Sequence, residues 1–197
     1  MSSCAGCTLS SLHNDIRAEF PHYRIVYKEL SPLMRMVGLL LFLLTAGAQR
    51  SFMSDYVTTI GTTVYVPFKW DAWTDDIKIG VLLHERVHMR QAKKYTFPLY
   101  AFLYLFVPLP LGLAYFRMRF EREAYEETIR YDLETRPKLL DPERLALFRR
   151  VIIDQFTTGA YGWMWPFRHQ LECWFDDVVL QHRINVSREN ASLSSRA

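Results

Sequence analysis

The clearest amphipathic pattern in the chain lies between residues 74 and 95. Inward-facing side chains recur there at intervals of three and four residues, which places them on one face of a helix. Thr74 can cap the start of this helix, and Asp75 and Asp76 would lie at its positive end. The predicted inward face comprises Ile77, Val81, His84, His88, Gln91 and Tyr95. The pattern therefore predicts a long helix whose two histidines point into the packed side of the fold.

Further helices and one β-region follow from patterns of the same kind. Residues 56–68 are rich in β-branched and aromatic side chains and are broken by Gly61, which is typical of a strand or a short hairpin. Helices are predicted over 33–48, 117–134, 141–156 and 169–183. The predicted fold class is therefore α+β and mainly helical, with a small sheet.

The two ends of the chain differ in composition from the stretch between them. Residues 1–12 and 187–197 are rich in serine or charge, and we expect both ends to be flexible. The chain has 197 residues, of which 50% are hydrophobic, enough to bury the core of one domain. We therefore expect a single folded domain over 13–186.

Two apolar stretches raise the question of a membrane. The uncharged part of 33–48 is shorter than the ~20 residues that span a bilayer, so we predict a buried core helix there. Residues 95–116 carry no charge over about that length, but Pro98, Pro108 and Pro110 argue against one straight transmembrane helix. For 97–116, a buried or surface-apolar hairpin and a membrane-dipping segment both stay open.

Charge and cysteine content exclude several classes of protein. The formal charge of +3 is small and no block of five like charges occurs, so we expect no nucleic-acid partner. The first residues lack a basic region followed by an apolar run, which is the pattern of a signal peptide. Three cysteines do not make a disulfide framework. We therefore expect a cytoplasmic protein in reducing surroundings.

The motif that carries chemistry is HERVH, in which two histidines four residues apart enclose a glutamate. On a helix, His84 and His88 lie one turn apart on the same face, so both imidazoles can reach one metal ion. Glu85 is rotated from His84 by about 100°, which suits it better to taking a proton from water than to binding the ion. This division of roles is typical of zinc hydrolases. The same letters also arise by chance in chains whose histidines are core residues.

A catalytic zinc site needs a third protein ligand from a neighbouring element. The predicted helix 117–134 offers carboxylates in the sequence FEREAYEE. HERVH followed by FEREAY resembles the gluzincin branch of the zinc metallopeptidases, in which the first glutamate of an E-x-x-[AS]-D pattern is the third ligand. The resemblance covers about 57–127 and extends to small HExxH proteins of bacterial and phage genomes. It implies a zincin-like core, Zn²⁺ as cofactor and a peptide or protein substrate.

The resemblance also assigns roles within FEREAYE. It implies that Glu121 is the third ligand, with Glu123 as the next candidate, and that Ala124 is the small residue that lets two helices approach. Tyr125 stands where the family has an aspartate that orients a zinc-bound histidine. The Tyr125 hydroxyl, Glu126 or a backbone carbonyl would have to serve instead. This departure from the family pattern bears on catalytic activity more than on metal binding.

The function that the resemblance implies is that of a zinc metallopeptidase. His84, His88 and Glu121 would hold the ion, and Glu85 would act as the general base on the attacking water. Zincins commonly pair an extended substrate with an edge strand, and the strand at 57–66 is the candidate for that role.

Two other functions stay open. One is a non-enzymatic protein of zincin fold that serves as a component of a larger assembly, such as a phage particle, with buried contacts to partner chains. The other is a membrane-associated protease in which 97–116 or 33–48 contacts lipid.

Overall fold

A computed structural model describes residues 7–44, 51–106, 113–158 and 164–194 of the chain. The helices are α1 (Leu9–Glu19), α2 (Pro32–Leu44), α3 (Phe52–Asp55), α4 (Asp75–Tyr95), α5 (Phe97–Phe106), α6 (Tyr115–Thr135), α7 (Pro142–Thr157) and α8 (Arg168–Ser194). The strands are β1 (Arg24–Tyr27), β2 (Thr58–Ile60) and β3 (Thr63–Val66). Short 3₁₀ helices lie at Lys28–Leu30, Phe68–Ala72 and Pro137–Leu140. The prediction of a mainly helical α+β fold with a small sheet is confirmed.

The sheet has the order β1-β3-β2. A strand or a short hairpin was predicted over 56–68, and β2 and β3 form the hairpin. Gly61 turns it with a φ of 62°, a conformation that glycine adopts without strain. β1 was not predicted, because a four-residue strand leaves too short a pattern to recognise. It pairs in parallel with β3, whose four residues are all buried. β2 therefore lies at an edge of the sheet.

The first helix begins inside the end of the chain that was expected to be flexible. α1 begins at Leu9, inside the range 1–12, and Leu12 is 1% exposed. Thr8 and Ser11 form a capping box, in which each side chain accepts a hydrogen bond from the other residue's backbone N–H. Capping and burial together explain why residues 9–12 are helical.

Helix α4 is buried on two sides. Leu82 and Met89 pack with α1 and the sheet in one core cluster, whereas His88 and Gln91 face α5 and α6. Thr74 is the N-cap by position, although its hydroxyl makes no capping hydrogen bond. Ile77, predicted to face inward, is 48% exposed, and the first buried residue of the helix is Ile79.

Helices α4 and α6 run antiparallel and carry the site between them. Gly80 lies beside the ring of Tyr131 near one end of the pair, and Gln91 bonds the carbonyl of Phe120 near the other. Helix α5 follows α4 through Thr96, whose φ of 61° lies in a region that β-branched residues rarely adopt. This turn folds α5 back onto α4 and α6.

Helix α2 is confirmed as a helix but corrects the prediction of a buried core element. Leu39 and Leu43 are 60% and 65% exposed. The helix packs on α3 at Gly38, where an added Cβ would lie 3.0 Å from the sulfur of Met53. An apolar composition predicts that a helix is buried. How much of the helix surface is actually buried depends on which other elements pack against it.

Helices α6, α7 and α8 share a second core. Ile129, Phe156 and Phe175 are each fully buried in it. α7 begins as predicted, with the Asp141 side chain accepting a hydrogen bond from the backbone of Glu143. α8 corrects the predicted end of its helix, because it continues to Ser194, and residues 195–197 lie outside the described part of the chain. No glycine or proline occurs in 184–194 to stop it.

The apolar stretch 95–116 includes α5, and Pro98 lies in its first turn, where proline is tolerated. Residues 107–112, with Pro108 and Pro110, fall outside the described part of the chain. Among the helices that the structure describes, none combines the length and hydropathy needed to cross a membrane.

Candidate metal centre

Two histidines and a glutamate meet between α4 and α6. His84 Nε2 lies 3.1 Å from His88 Nε2 and 3.3 Å from Glu121 Oε2, and His88 Nε2 lies 3.5 Å from Glu121 Oε1. The Glu121 side chain is 1% exposed, that of His88 9% and that of His84 12%. The structure thus brings together the three residues predicted as ligands, and His84 is the one nearest to solvent.

The spacing of these atoms fits a single metal ion. A tetrahedral ion with ligand bonds of about 2.0–2.1 Å holds its ligand atoms about 3.3 Å apart. The measured 3.1 Å and 3.3 Å match this separation. Glu121 Oε2 is also buried without a hydrogen-bond partner, which is costly for a carboxylate oxygen and is relieved when that oxygen binds a cation. The buried group can therefore hold a metal ion.

The electrostatics of the group favour a cation. Burial by itself would lower the pKa of His88, but the adjacent Glu121 carboxylate outweighs burial and raises that pKa to about 9. Burial would raise the pKa of Glu121, but His88 and His84 hold it well below its ordinary value. A metal ion must therefore displace a proton from His88, so metal binding should weaken as the pH falls.

Gln91 determines which nitrogen of His88 is available. Its amide N–H₂ donates to the carbonyl oxygen of Phe120 at 3.0 Å and to Glu123 at 2.9 Å, which fixes the orientation of the amide. Its Oε1 then accepts a hydrogen bond from His88 Nδ1 at 2.9 Å. Because Nδ1 carries the proton in this arrangement, Nε2 of neutral His88 has a lone pair that could bind a metal ion.

Helix α5 closes the site with two tyrosines, one turn apart. The Tyr104 hydroxyl donates a hydrogen bond to Glu121 Oε1 at 2.5 Å, and the Tyr100 oxygen lies 3.2 Å from His88 Nδ1. Burial followed by the charge of Glu121 raises the pKa of both tyrosines, so both keep their protons. Tyr104 holds Oε1, so Oε2 is the carboxylate oxygen that could bind a metal ion.

Glu85 lies beside the group and is not a member of it. Its side chain is buried, with 6% exposed, and its charge contributes to the raised pKa of His88. The same charge acts on Lys28, which is fully buried and donates a hydrogen bond to the carbonyl of Phe52 at 2.8 Å. Burial outweighs the attraction of Glu85 and lowers the pKa of Lys28 to about 8.

The other residues of FEREAYE take different positions. Glu123 bonds Gln91 and supports the ligand His88 through it. Tyr125 packs edge-on against the ring of His84, with ring centres 4.8 Å apart. Glu126 accepts from the Trp174 indole and pairs with Arg130, so it faces away from the histidines. Glu126, one of the groups considered for orienting a histidine, therefore has its partners elsewhere.

The sequence patterns missed Gln91, Tyr100 and Tyr104 as supporting residues. Gln91 was placed on the inward face but received no role, although it lies three residues after His88, one turn along. Tyr100 and Tyr104 also lie one turn apart, and their polar hydroxyls inside an apolar stretch are the signal that could have marked them.

No protein-family model, no curated protein and no solved structure matches this chain.

Proposed function

We propose that the chain is a zinc-dependent metallopeptidase that hydrolyses peptide bonds. The observation that carries this proposal is the meeting of His84, His88 and Glu121 at ligand spacing, with Glu121 Oε2 buried and lacking a hydrogen-bond partner. Two imidazole nitrogens and one carboxylate oxygen form a common ligand set of catalytic zinc, which keeps a fourth position for water or substrate. The same set also occurs in iron oxygenases. The neighbouring Glu85 favours hydrolysis, because a hydrolase needs a base there.

The residues around the ligands support a division of labour. When bound, zinc supplies Lewis acidity that polarises a carbonyl and acidifies water. Glu85 takes a proton from the water as its oxygen attacks the peptide carbon, and passes that proton to the nitrogen as the C–N bond breaks. Substrate would enter from the side of His84, the most exposed of the three ligands.

The edge strand β2 is the proposed binding site for the substrate backbone. Its three residues are partly exposed, and β3 pairs with it on one side. An extended peptide can add to such an edge through main-chain hydrogen bonds. β2 packs with α4, the helix that carries both histidines, so a peptide on this edge would run beside the metal centre.

The test combines metal analysis with digestion of a peptide library. Glu85→Gln should keep one zinc per chain and lower kcat/KM by about a hundred- to ten-thousand-fold, the usual contribution of a general base. Glu121→Ala should lose the metal and all hydrolysis. Glu126→Gln, on the same helix as Glu121, is the matched control and should change neither the metal content nor kcat/KM. Full activity in Glu85→Gln, or unchanged metal content in Glu121→Ala, would refute the proposed mechanism.

A structural metal centre in an assembly component is the second candidate. It is favoured by the deep burial of His88 and Glu121 and by Tyr125 in place of the family aspartate. A chain of this kind would retain its metal against a chelator and cleave no peptide of the library. Hydrolysis that disappears in Glu85→Gln while the metal stays would exclude this alternative.

A further inference from the structure

Helix α5 presents an apolar face to solvent. Leu99, Phe102 and Leu105, spaced three residues apart, are 48%, 54% and 48% exposed, and we call these three residues the α5 outer face. Soluble proteins expose scattered apolar side chains, but a row of large ones along one helix marks a surface that binds something apolar. The α5 outer face is therefore a candidate binding surface.

The orientation of α5 is fixed by its opposite side. Tyr100 is 8% exposed and packs on Phe120 with ring centres 5.1 Å apart, and its oxygen lies beside His88. Tyr104 bonds Glu121. Rotating α5 to bury its outer face would remove both tyrosines from the metal centre. The exposed apolar row is thus a consequence of how α5 closes the site.

The charges around α5 indicate what this face binds. Residues 86–120 include six basic residues and no acidic one. Two of the six, Arg86 and Arg90, pair with Glu19. Lys93 and Lys94 are exposed directly before α5, and Arg119 is exposed in α6 after it. Anionic lipid headgroups would neutralise exposed positive charges that flank α5 in this way.

The length of α5 indicates how it would meet a bilayer. The ten residues of α5 that the structure describes extend about 15 Å at 1.5 Å per residue, half of a hydrocarbon core of about 30 Å. A helix of this length cannot cross the bilayer but can lie in its interface with one apolar face inserted. We propose that the α5 outer face binds the surface of an anionic lipid bilayer, with Lys93, Lys94 and Arg119 against the phosphate groups.

Vesicle flotation with the full chain tests this proposal. We expect the protein to float with vesicles of phosphatidylcholine and phosphatidylserine, and less with phosphatidylcholine alone. Leu99→Asp with Leu105→Asp should lower the partition coefficient at least about tenfold, since charge on the inserted face opposes burial. Leu147→Asp with Val151→Asp, on exposed apolar positions of α7, is the matched control and should float like the wild type.

A second pair of variants tests the charges. Lys93→Glu with Lys94→Glu should remove most of the preference for phosphatidylserine, because each basic residue near the surface contributes on the order of fivefold. Lys138→Glu, at an exposed lysine beyond α6, should not.

Three results would overturn the proposal. One is an equal partition coefficient for Leu99→Asp with Leu105→Asp and for Leu147→Asp with Val151→Asp, measured on variants that melt at the same temperature as the wild type. Another is flotation that is independent of phosphatidylserine. The third is a dimer in solution that Leu99→Asp dissociates and that does not bind vesicles, which would make the α5 outer face a contact between copies.

Discussion

At the scale of single residues, the chemistry of the site depends on which nitrogen of His88 carries a proton. Gln91 accepts from Nδ1 and is itself held by Phe120 and Glu123. Tyr104 positions Glu121 in a similar way: its hydroxyl donates a hydrogen bond to Oε1, and Oε2 has no hydrogen-bond partner. Side chains held in this way could bind a metal ion without first reorganising.

Replacing Gln91 tests the positioning role. Gln91→Met keeps the size of the side chain and removes both its acceptor and its donors, so His88 can adopt the wrong tautomer. We expect metal affinity to fall about ten- to a hundredfold, the usual effect of losing such a partner, as measured by competition with a chelator. Gln170→Met, where the exposed glutamine bonds Trp165, is the control. Equal affinities in the two variants would show that Gln91 does not position the ligand.

At the scale of elements, the contact between α4 and α6 decides whether the ligands meet. Ala124 is 0% exposed and lies one turn from Glu121 on the face that meets α4. The resemblance noted in the sequence had implied that Ala124 lets two helices approach. It could not predict that α5 would fold back and supply two tyrosines, because that depends on the turn at Thr96.

Enlarging Ala124 should separate the two helices. Ala124→Leu adds three carbon atoms to a filled space, which we expect to cost about 1–3 kcal/mol of unfolding free energy and to weaken metal binding with it. Urea denaturation and metal analysis measure the two effects. Ala146→Leu makes the same change at an exposed position of α7 and should change neither. An Ala124→Leu variant as stable as the wild type would show that the contact between α4 and α6 can accommodate a larger side chain.

At the scale of the whole molecule, a buried lysine links stability to pH. The pKa of Lys28 lies at about 8 in the folded protein, against an ordinary value of 10.5, because burial disfavours its charge. Between these two values the unfolded chain binds more protons than the folded protein. The free energy of unfolding contributed by Lys28 therefore rises with pH across this window.

Lys28→Met should remove that rise. From about pH 8 to about pH 10, we expect the wild type to gain about 2–3 kcal/mol relative to this variant, since one pKa unit corresponds to about 1.4 kcal/mol. Urea denaturation at the two pH values measures the difference, and Lys138→Met, at an exposed lysine, serves as the control. Parallel pH profiles for the wild type and Lys28→Met would contradict the linkage.

The sequence by itself determined the elements whose signals are local. The long helix of HERVH, the hairpin at Gly61 and the start of α7 at Asp141 follow from periodicity and turn or capping chemistry within a few residues. The spacing of His84 and His88 also places both imidazoles on one face, whatever the rest of the chain does.

Only the tertiary structure decided which distant side chains meet. β1 is stabilised by pairing with a strand 39 positions later. α2 keeps exposed leucines at positions where no other described element packs against it. Glu121 approaches the histidines because α4 and α6 pack antiparallel, and Gln91 and Tyr104 complete the site from two further directions. Such contacts join residues far apart in the chain, so no local pattern encodes them, and they depend on how complete elements pack.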